Sequence, residues 1–228
     1  MSLTLLAQTL AYSAPPEGVA SRPTGFGNSA LWDLNSGRPW TSPRGEFATA
    51  TMLTANPGVW TREDFLSGEE VARVLDALPP TNATCPEGLT GSFDATCWGR
   101  CKGAAHDKQV GKVCSKLETK KYPWLTDRML GVWDSGDVRE KPDPFDVMRY
   151  QKHAEPTHAH RDRMSGGGYA SASMVVFLTD GNDAALHFPN TPGSALKIHP
   201  KVGSSAAWLN ALPCGRSSYE GVHGVEAA

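Results

Sequence analysis

After Pro144 the chain breaks into seven short extended runs: Phe145–Tyr150, His158–Asp162, Ala170–Thr179, Ala184–Phe188, Ala195–His199, Ser204–Asn210 and Glu220–Val225. Gly, Pro, Asn and Asp punctuate them. No other feature constrains the fold as much, because short strands at this spacing point to an antiparallel sandwich or barrel. The 23 Gly and 17 Pro among 228 residues agree with a turn-rich β architecture better than with a helix bundle.

Upstream the pattern is helical. Ser67 is followed three residues later by Glu70, a capping box, and Leu66 with Val71 forms a hydrophobic staple around it. Val71, Val74, Leu75 and Leu78 then recur at i, i+3, i+4 and i+7, and Pro79-Pro80 ends the helix. A second helical stripe is expected over Val110, Val113, Cys114 and Leu117, and a shorter helix from Trp124 to Trp133. Helices first and strands after make the class α+β, with helices bracing a β core. Residues 13–57 are rich in Pro, Gly, Ser, Thr and Ala without a period. The expected organisation is a loosely ordered N-terminal arm over 1–56 and one folded domain over 57–228.

Lys and Arg number 22 against 24 Asp and Glu, a net charge of −2. Without a basic excess to neutralise phosphates, a general nucleic-acid binder is excluded. No apolar run reaches the length of a membrane span. The expectation is a soluble protein of the cytoplasm or the endoplasmic reticulum lumen, with neither nucleic acid nor membrane as partner. Leu3 to Ala14 is mildly apolar and ends in small residues, but lacks the basic leader of a secretory signal. Asn82-Ala83-Thr84 is a glycosylation sequon. The five cysteines are Cys85, Cys97, Cys101, Cys114 and Cys214. No second close Cys or His pair completes a zinc site with Cys97 and Cys101, so ordinary thiols or one disulfide in the N-terminal half is the better expectation.

The densest set of potential ligands is His153, His158, His160 and Asp162. In an extended segment His158, His160 and Asp162 alternate onto one face. His223 falls on a later predicted strand that a barrel or sandwich can bring beside His160. Two imidazoles and one carboxylate, His160, Asp162 and His223, suit a divalent first-row metal and leave open positions on it. The plain alternative is a polar surface loop, since a bare His-x-Asp is common.

Five blocks in order carry a family resemblance. They are Pro57-Gly58-Val59 with Asp64 to Ser67; Val147 to Tyr150 followed by His160-Arg161-Asp162; Met174 to Asp180; Leu196 to Gly203; and Trp208 to Pro213 followed by Tyr219 to Val225 around His223. From about Pro57 to its end the chain resembles the 2-oxoglutarate- and Fe(II)-dependent dioxygenases, especially their prolyl 4-hydroxylase-like branch. The resemblance implies a double-stranded β-helix (jelly-roll) that holds Fe(II) through His160, Asp162 and His223. It implies 2-oxoglutarate and O2 as co-substrates, with Tyr150 bonding the former, and ascorbate as an accessory. The implied reaction is hydroxylation of a C–H bond, by analogy that of a peptidyl proline in a peptide or protein, with release of succinate and CO2. Asp162, rather than Gly or Ala, matches the hydroxylases and not the related halogenases.

The chain departs from the family at three places. Asp183-Ala184-Ala185-Leu186-His187 stands where the family has a Gly-Gly-Glu-Thr stretch before its Phe-Pro. Cys214 stands where an acidic residue is usual. Only five residues follow His223, so the family's last strand, with the cation that meets the 5-carboxylate of 2-oxoglutarate, is expected to be missing. Glu220–Val225 is then expected to be an exposed edge, with Arg216, Lys197 or Lys201 as substitute cations. Two other classes stay open: a non-catalytic family member acting as a binding module, and a metallo-β-lactamase-like zinc hydrolase. The latter is suggested by Thr157-His158-Ala159-His160-Arg161-Asp162, where Arg163 replaces that motif's last histidine.

Overall fold

The computed structural model describes residues 3–10, 32–33, 38–39, 47, 49–86, 96–101, 110–132, 145–162, 172–181, 183–210 and 219–226. In chain order the elements are β1 (Leu3–Leu10), β2 (Trp32–Asp33), β3 (Arg38–Pro39), β4 (Thr51–Ala55), β5 (Gly58–Arg62), α1 (Gly68–Asp76), β6 (Lys112–Leu117), α2 (Pro123–Gly131), β7 (Phe145–Tyr150), β8 (Thr157–His160), β9 (Ala172–Phe177), β10 (Ala185–Phe188), β11 (Leu196–Ile198), β12 (Ser205–Leu209) and β13 (His223–Glu226). Every strand pairing among the described residues is antiparallel. One sheet has seven strands in the order β4-β5-β12-β9-β1-β7-β6, and a second has four in the order β11-β10-β13-β8. The fold is a β-rich α+β arrangement, as the sequence predicts.

Strand alternation sorts the larger sheet's side chains into two cores. On β9, Ala172, Met174 and Val176 join Val147, Phe145 and Ala207 against Val71 and Val74 of α1 and Leu125 and Met129 of α2. Val175 and Phe177 face the other way and pack with Leu186 and Phe188 of β10 and Val225 of β13. The layers are therefore helices, seven-stranded sheet, four-stranded sheet. Lying in the middle layer, β9 is buried along its whole length, which is why it reads as a continuous apolar run and not as alternation.

Helix α1 begins as predicted. The Ser67 hydroxyl accepts from the Glu70 amide at 3.2 Å, and the Ser67 amide donates to Glu70 Oε2 at 2.9 Å. The same Glu70 oxygen accepts from Arg128 Nη1 of α2 at 2.7 Å, locking the two helices together. That Arg128 hydrogen bond holds the Glu70 carboxyl below its ordinary value against the opposing effect of burial.

The second predicted helix is instead β6. Its residues pair in register with β7, from Lys112 opposite Tyr150 to Leu117 opposite Phe145. A short apolar stripe fits either period, and two non-local facts decide it: the ladder to β7 and a covalent bond from Cys114. Val110, the first residue of the supposed stripe, is exposed.

Cys114 is bonded to Cys101, and Cys85 to Cys97. The cysteine expectation is thus corrected from at most one disulfide to two, and none of these four sulfurs is available to zinc. The Cys101–Cys114 bond ties the segment around Trp98 to the β6 edge, where Gly99 and Cys114 exchange backbone hydrogen bonds, and the Cys85–Cys97 bond closes the same segment on itself. Trp98 lies beneath the Arg149 guanidinium, 4.5 Å from its ring centroid. Each bond closes a loop of sequence separation 12 or 13, a length at which a disulfide contributes about 3 kcal/mol. Chemical denaturation with and without dithiothreitol is expected to show a loss of about 2–4 kcal/mol per bond.

Residues 3–10 depart from the expectation of a loosely ordered arm. Strand β1 runs between β7 and β9, with Leu3 opposite Tyr150 on one side and Leu5 opposite Phe177 on the other. Residues 11–31 lie outside the described set. Nor is the strand after Glu220 an edge. β13 pairs with β10 on one side and β8 on the other, so its backbone groups are used on both flanks. The expectation assumed that the chain-adjacent strand is the spatial neighbour, whereas in this topology the neighbours are strands distant in sequence.

Candidate metal centre

His160 ends β8 and His223 opens β13, and the two residues are directly opposite in the register. Facing positions on neighbouring antiparallel strands bring Cβ atoms within about 5.5 Å, and here the imidazole centroids are 4.7 Å apart. Asp162 follows two residues after His160 and reaches between the rings. Its Oδ1 is 3.5 Å from His160 Nε2 and its Oδ2 is 3.5 Å from His223 Nε2. One ligand atom from each of the three side chains falls within 4.8 Å of the others.

Backbone carbonyls set the tautomers. His160 Nδ1–H donates to the His158 carbonyl at 2.8 Å, and His223 Nδ1–H donates to the Gly221 carbonyl at 3.1 Å. Both Nε2 atoms therefore present lone pairs toward one carboxylate, an arrangement that requires either a proton or a cation between them. This donor set, two neutral imidazoles and one carboxylate, fits a divalent first-row metal.

The carboxylate is itself held. Ser173 Oγ–H donates to Asp162 Oδ2 at 2.5 Å, Asn210 Nδ2–H to Ser173 Oγ at 2.8 Å, and Trp208 Nε1–H to Asn210 Oδ1 at 3.0 Å. Trp208 also packs against His223 with ring centroids 4.5 Å apart and the planes tilted by 59°, and Phe188 packs edge-on at 5.6 Å from Trp208. The site thus has one dry aromatic wall, with His223 buried and His160 and Asp162 partly open to solvent. Sequence reasoning did not single out Ser173 or Asn210. The signal was there: each is a polar residue inside an apolar strand run, and buried polar groups are placed for a partner.

A bulge decides which histidines take part. Between the β8–β13 pairs His160–His223 and Thr157–Val225, three steps on β8 match two on β13. The extra residue turns Thr157 and His160 to the same side. His158 and Ala159 are exposed instead, which corrects the simple alternation that put His158 with His160. His153 is exposed in a turn with φ 64°. Gly224 lets β13 approach: a Cβ there would stand 2.6 Å from the Thr157 carbonyl and 3.0 Å from the His187 ring.

Tyr150 lies on β7, buried, its hydroxyl 2.6 Å from Thr157 Oγ1. Burial pushes its pKa up to about 12, with the Thr157 bond a smaller opposing effect, so the phenol is neutral throughout the working range. Lys197 is paired with Glu226 and Lys201 with Glu63, each at 2.7 Å. Both proposed substitute cations are thus engaged elsewhere, and Arg216 lies outside the described residues.

Electrostatics couple protons to the site. Burial alone would raise the Asp162 carboxyl; the His223 charge and bonds from His160, His223 and Ser173 outweigh it and hold the carboxyl far below its ordinary range. Burial alone would lower His160, but the bond and charge of Asp162 prevail and raise it. In the metal-free protein the raised His160 contributes stability that is lost as pH rises through its folded pKa. The depressed Asp162 contributes stability that is lost only in strong acid. A metal competes with the His160 proton for one lone pair. Affinity for Mn(II) is therefore expected to fall with acidification, about tenfold per pH unit for each proton displaced, beginning above the ordinary imidazole value of about 6.5. Calorimetric titrations at a series of pH values between about 6 and 8 check this.

Compared with known proteins, the chain matches no protein-family model and no curated protein. No helix among the described residues is long and apolar enough to cross a membrane.

Proposed function

We propose that the protein is a 2-oxoglutarate- and Fe(II)-dependent dioxygenase that hydroxylates a C–H bond, by analogy that of a peptidyl proline, and releases succinate and CO2. The observation that carries this reading is the convergence of two Nε2 lone pairs and the Asp162 carboxylate at one point, with the remaining directions unblocked by side chains of the set. The order β11-β10-β13-β8 in one sheet, facing a larger antiparallel sheet, supports reading the core as a double-stranded β-helix. His158 stands exposed outside the cluster, which counts against the zinc-hydrolase alternative, since that motif needs both histidines.

Fe(II) bound by His160, Asp162 and His223 would supply O2 activation and a chelation point for the 2-oxo acid. The chain's own residues do the rest. Ser173, oriented by Asn210 and Trp208, points the Asp162 carboxylate. The carbonyls of His158 and Gly221 hold both imidazoles in the ligating tautomer. Phe188 and Trp208 keep water from one side of the site, and the neutral Tyr150 phenol offers a hydrogen bond to the co-substrate. The two disulfides favour the lumen of the endoplasmic reticulum over the cytoplasm.

The decisive experiment supplies anaerobically prepared Fe(II)-protein with 2-oxoglutarate, O2 and a panel of proline-containing peptides. Succinate release matched by a one-oxygen mass gain on a peptide is the expected result. Iron binding without succinate would favour the binding-module alternative, and retained zinc with ester or lactam hydrolysis the hydrolase.

A further inference from the structure

The sequence motif Asn82-Ala83-Thr84 has no part in the metal centre, and the structure gives it a definite setting. It follows the Pro79-Pro80 pair that ends the first helical pattern. The Ala83 amide donates to the Pro80 carbonyl at 2.9 Å, and the Thr84 amide to the Asn82 carbonyl at 3.0 Å. Asn82 is therefore common to two overlapping tight turns. Asn82 and Thr84 are both exposed. An asparagine in a turn commonly bonds its own nearby backbone. Here neither the Asn82 amide nor the Thr84 hydroxyl has a hydrogen-bond partner among the described residues.

The turn is held from beneath. Arg149 Nη2 of β7 donates to the Thr81 carbonyl at 3.0 Å, and Trp98 Nε1 to the Pro79 carbonyl at 2.9 Å. On the far side of the motif the Cys85 amide donates to the Trp98 carbonyl at 2.8 Å. Cys85, the residue after Thr84, is bonded to Cys97, and Cys101 to Cys114. Disulfides belong to oxidising, secretory compartments. The same context makes Asn-x-Ser/Thr a glycosylation acceptor on a surface loop. The bare three-residue pattern recurs by chance. Exposure of both required side chains, their lack of other partners and the neighbouring disulfides are separate observations that point the same way.

The motif also lies on the side of the fold where a bulky group can stand. Arg149 shares a face of β7 with Phe145 and Val147, and these pack with Trp98 in the helix-side core. Tyr150, the next residue, belongs to the core between the two sheets. His223 packs against Trp208 and Phe188 of that second core. The Asn82 turn is thus anchored on one side of the seven-stranded sheet and the metal centre lies on the other. A sugar on Asn82 leaves the centre uncovered.

We propose that Asn82 is an N-linked glycosylation site. Its side-chain nitrogen displaces a lipid pyrophosphate from the anomeric carbon of an oligosaccharide donor. A C–N bond forms, a C–O bond breaks, the displaced amide proton passes to a base of the transferase, and nothing is oxidised or reduced. The assignment is independent of the dioxygenase reading. For the test, the full chain is produced in cultured eukaryotic cells behind a cleavable secretion leader. Intact and peptide masses are then measured before and after treatment with peptide N-glycosidase. Wild type is expected to lose the mass of one oligosaccharide, with conversion of Asn82 to Asp in the peptide map. Asn82→Gln and Thr84→Ala should carry no sugar, and Thr84→Ser should keep it. These side chains are exposed and unpartnered, so the variants are expected to melt as wild type does. A wild-type chain that has lost its leader and carries an unmodified Asn82 overturns the assignment, whether it is secreted or retained in the cell. So does an oligosaccharide that persists in Asn82→Gln, because it is then attached elsewhere.

Discussion

Replacing Asp162 with Ala is expected to abolish measurable metal binding at this site. The carboxylate is the only anionic member of the set and the group toward which both Nε2 atoms point. Without it, two neutral imidazoles remain against a divalent charge. Losing an outer partner of a ligand costs about 10- to 100-fold in metal affinity. Ser173→Ala is therefore expected to fall within that range and Asp162→Ala well beyond it. Mn(II) titration followed by electron paramagnetic resonance reads both. The metal-free Asp162→Ala protein should also lose the upward effect on His160, so that its imidazole titrates lower than in wild type by NMR. Near-wild-type Mn(II) affinity in Asp162→Ala would show that the convergence of these three side chains is a structural coincidence.

Removing residues 1–11 is expected to prevent cooperative folding. β1 fills the position between β7 and β9 in the middle of the larger sheet. Strands two places apart are separated by about 9.5 Å, so β7 and β9 cannot pair across the gap without displacing the whole β6–β7 edge. Left open, the gap would strip partners from backbone groups along Phe145–Tyr150 and Ala172–Phe177. Each buried unpaired group costs about 1–3 kcal/mol, and a domain of ordinary stability has only about 5–15 kcal/mol in total. Circular dichroism with thermal melting should show no sharp transition in the shortened protein. A peptide of residues 1–12 added in trans should restore part of it. A truncated chain that melts like the full one would mean that β1 contributes nothing to the sheet.

Local physics determined much of this protein. The Ser67–Glu70 box and the Val71–Leu78 stripe are legible because capping and period involve only neighbours in the chain. The turn-punctuated runs after Pro144 are legible for the same reason, and the structure places strands on all of them within a few residues. His160, Asp162 and His223 were candidates by residue type, and the i, i+2 relation of the first two follows from strand alternation.

Three things required the tertiary structure. β6 has a helical-looking stripe, and the Phe145–Tyr150 ladder with the Cys101 bond overrode it. β1 carries only a mildly apolar run, too weak to specify a strand by itself, and its place is set by pairing with β7 and β9, strands distant in sequence. The centre depends on a bulge, which turns His158 outward and aligns Thr157 with His160, and on Gly224, which lets His223 close on them. Spacing along a chain says which side chains can share a face of their own element. Which faces meet is set by long-range pairing and packing, and that information becomes readable only when the sheets have closed.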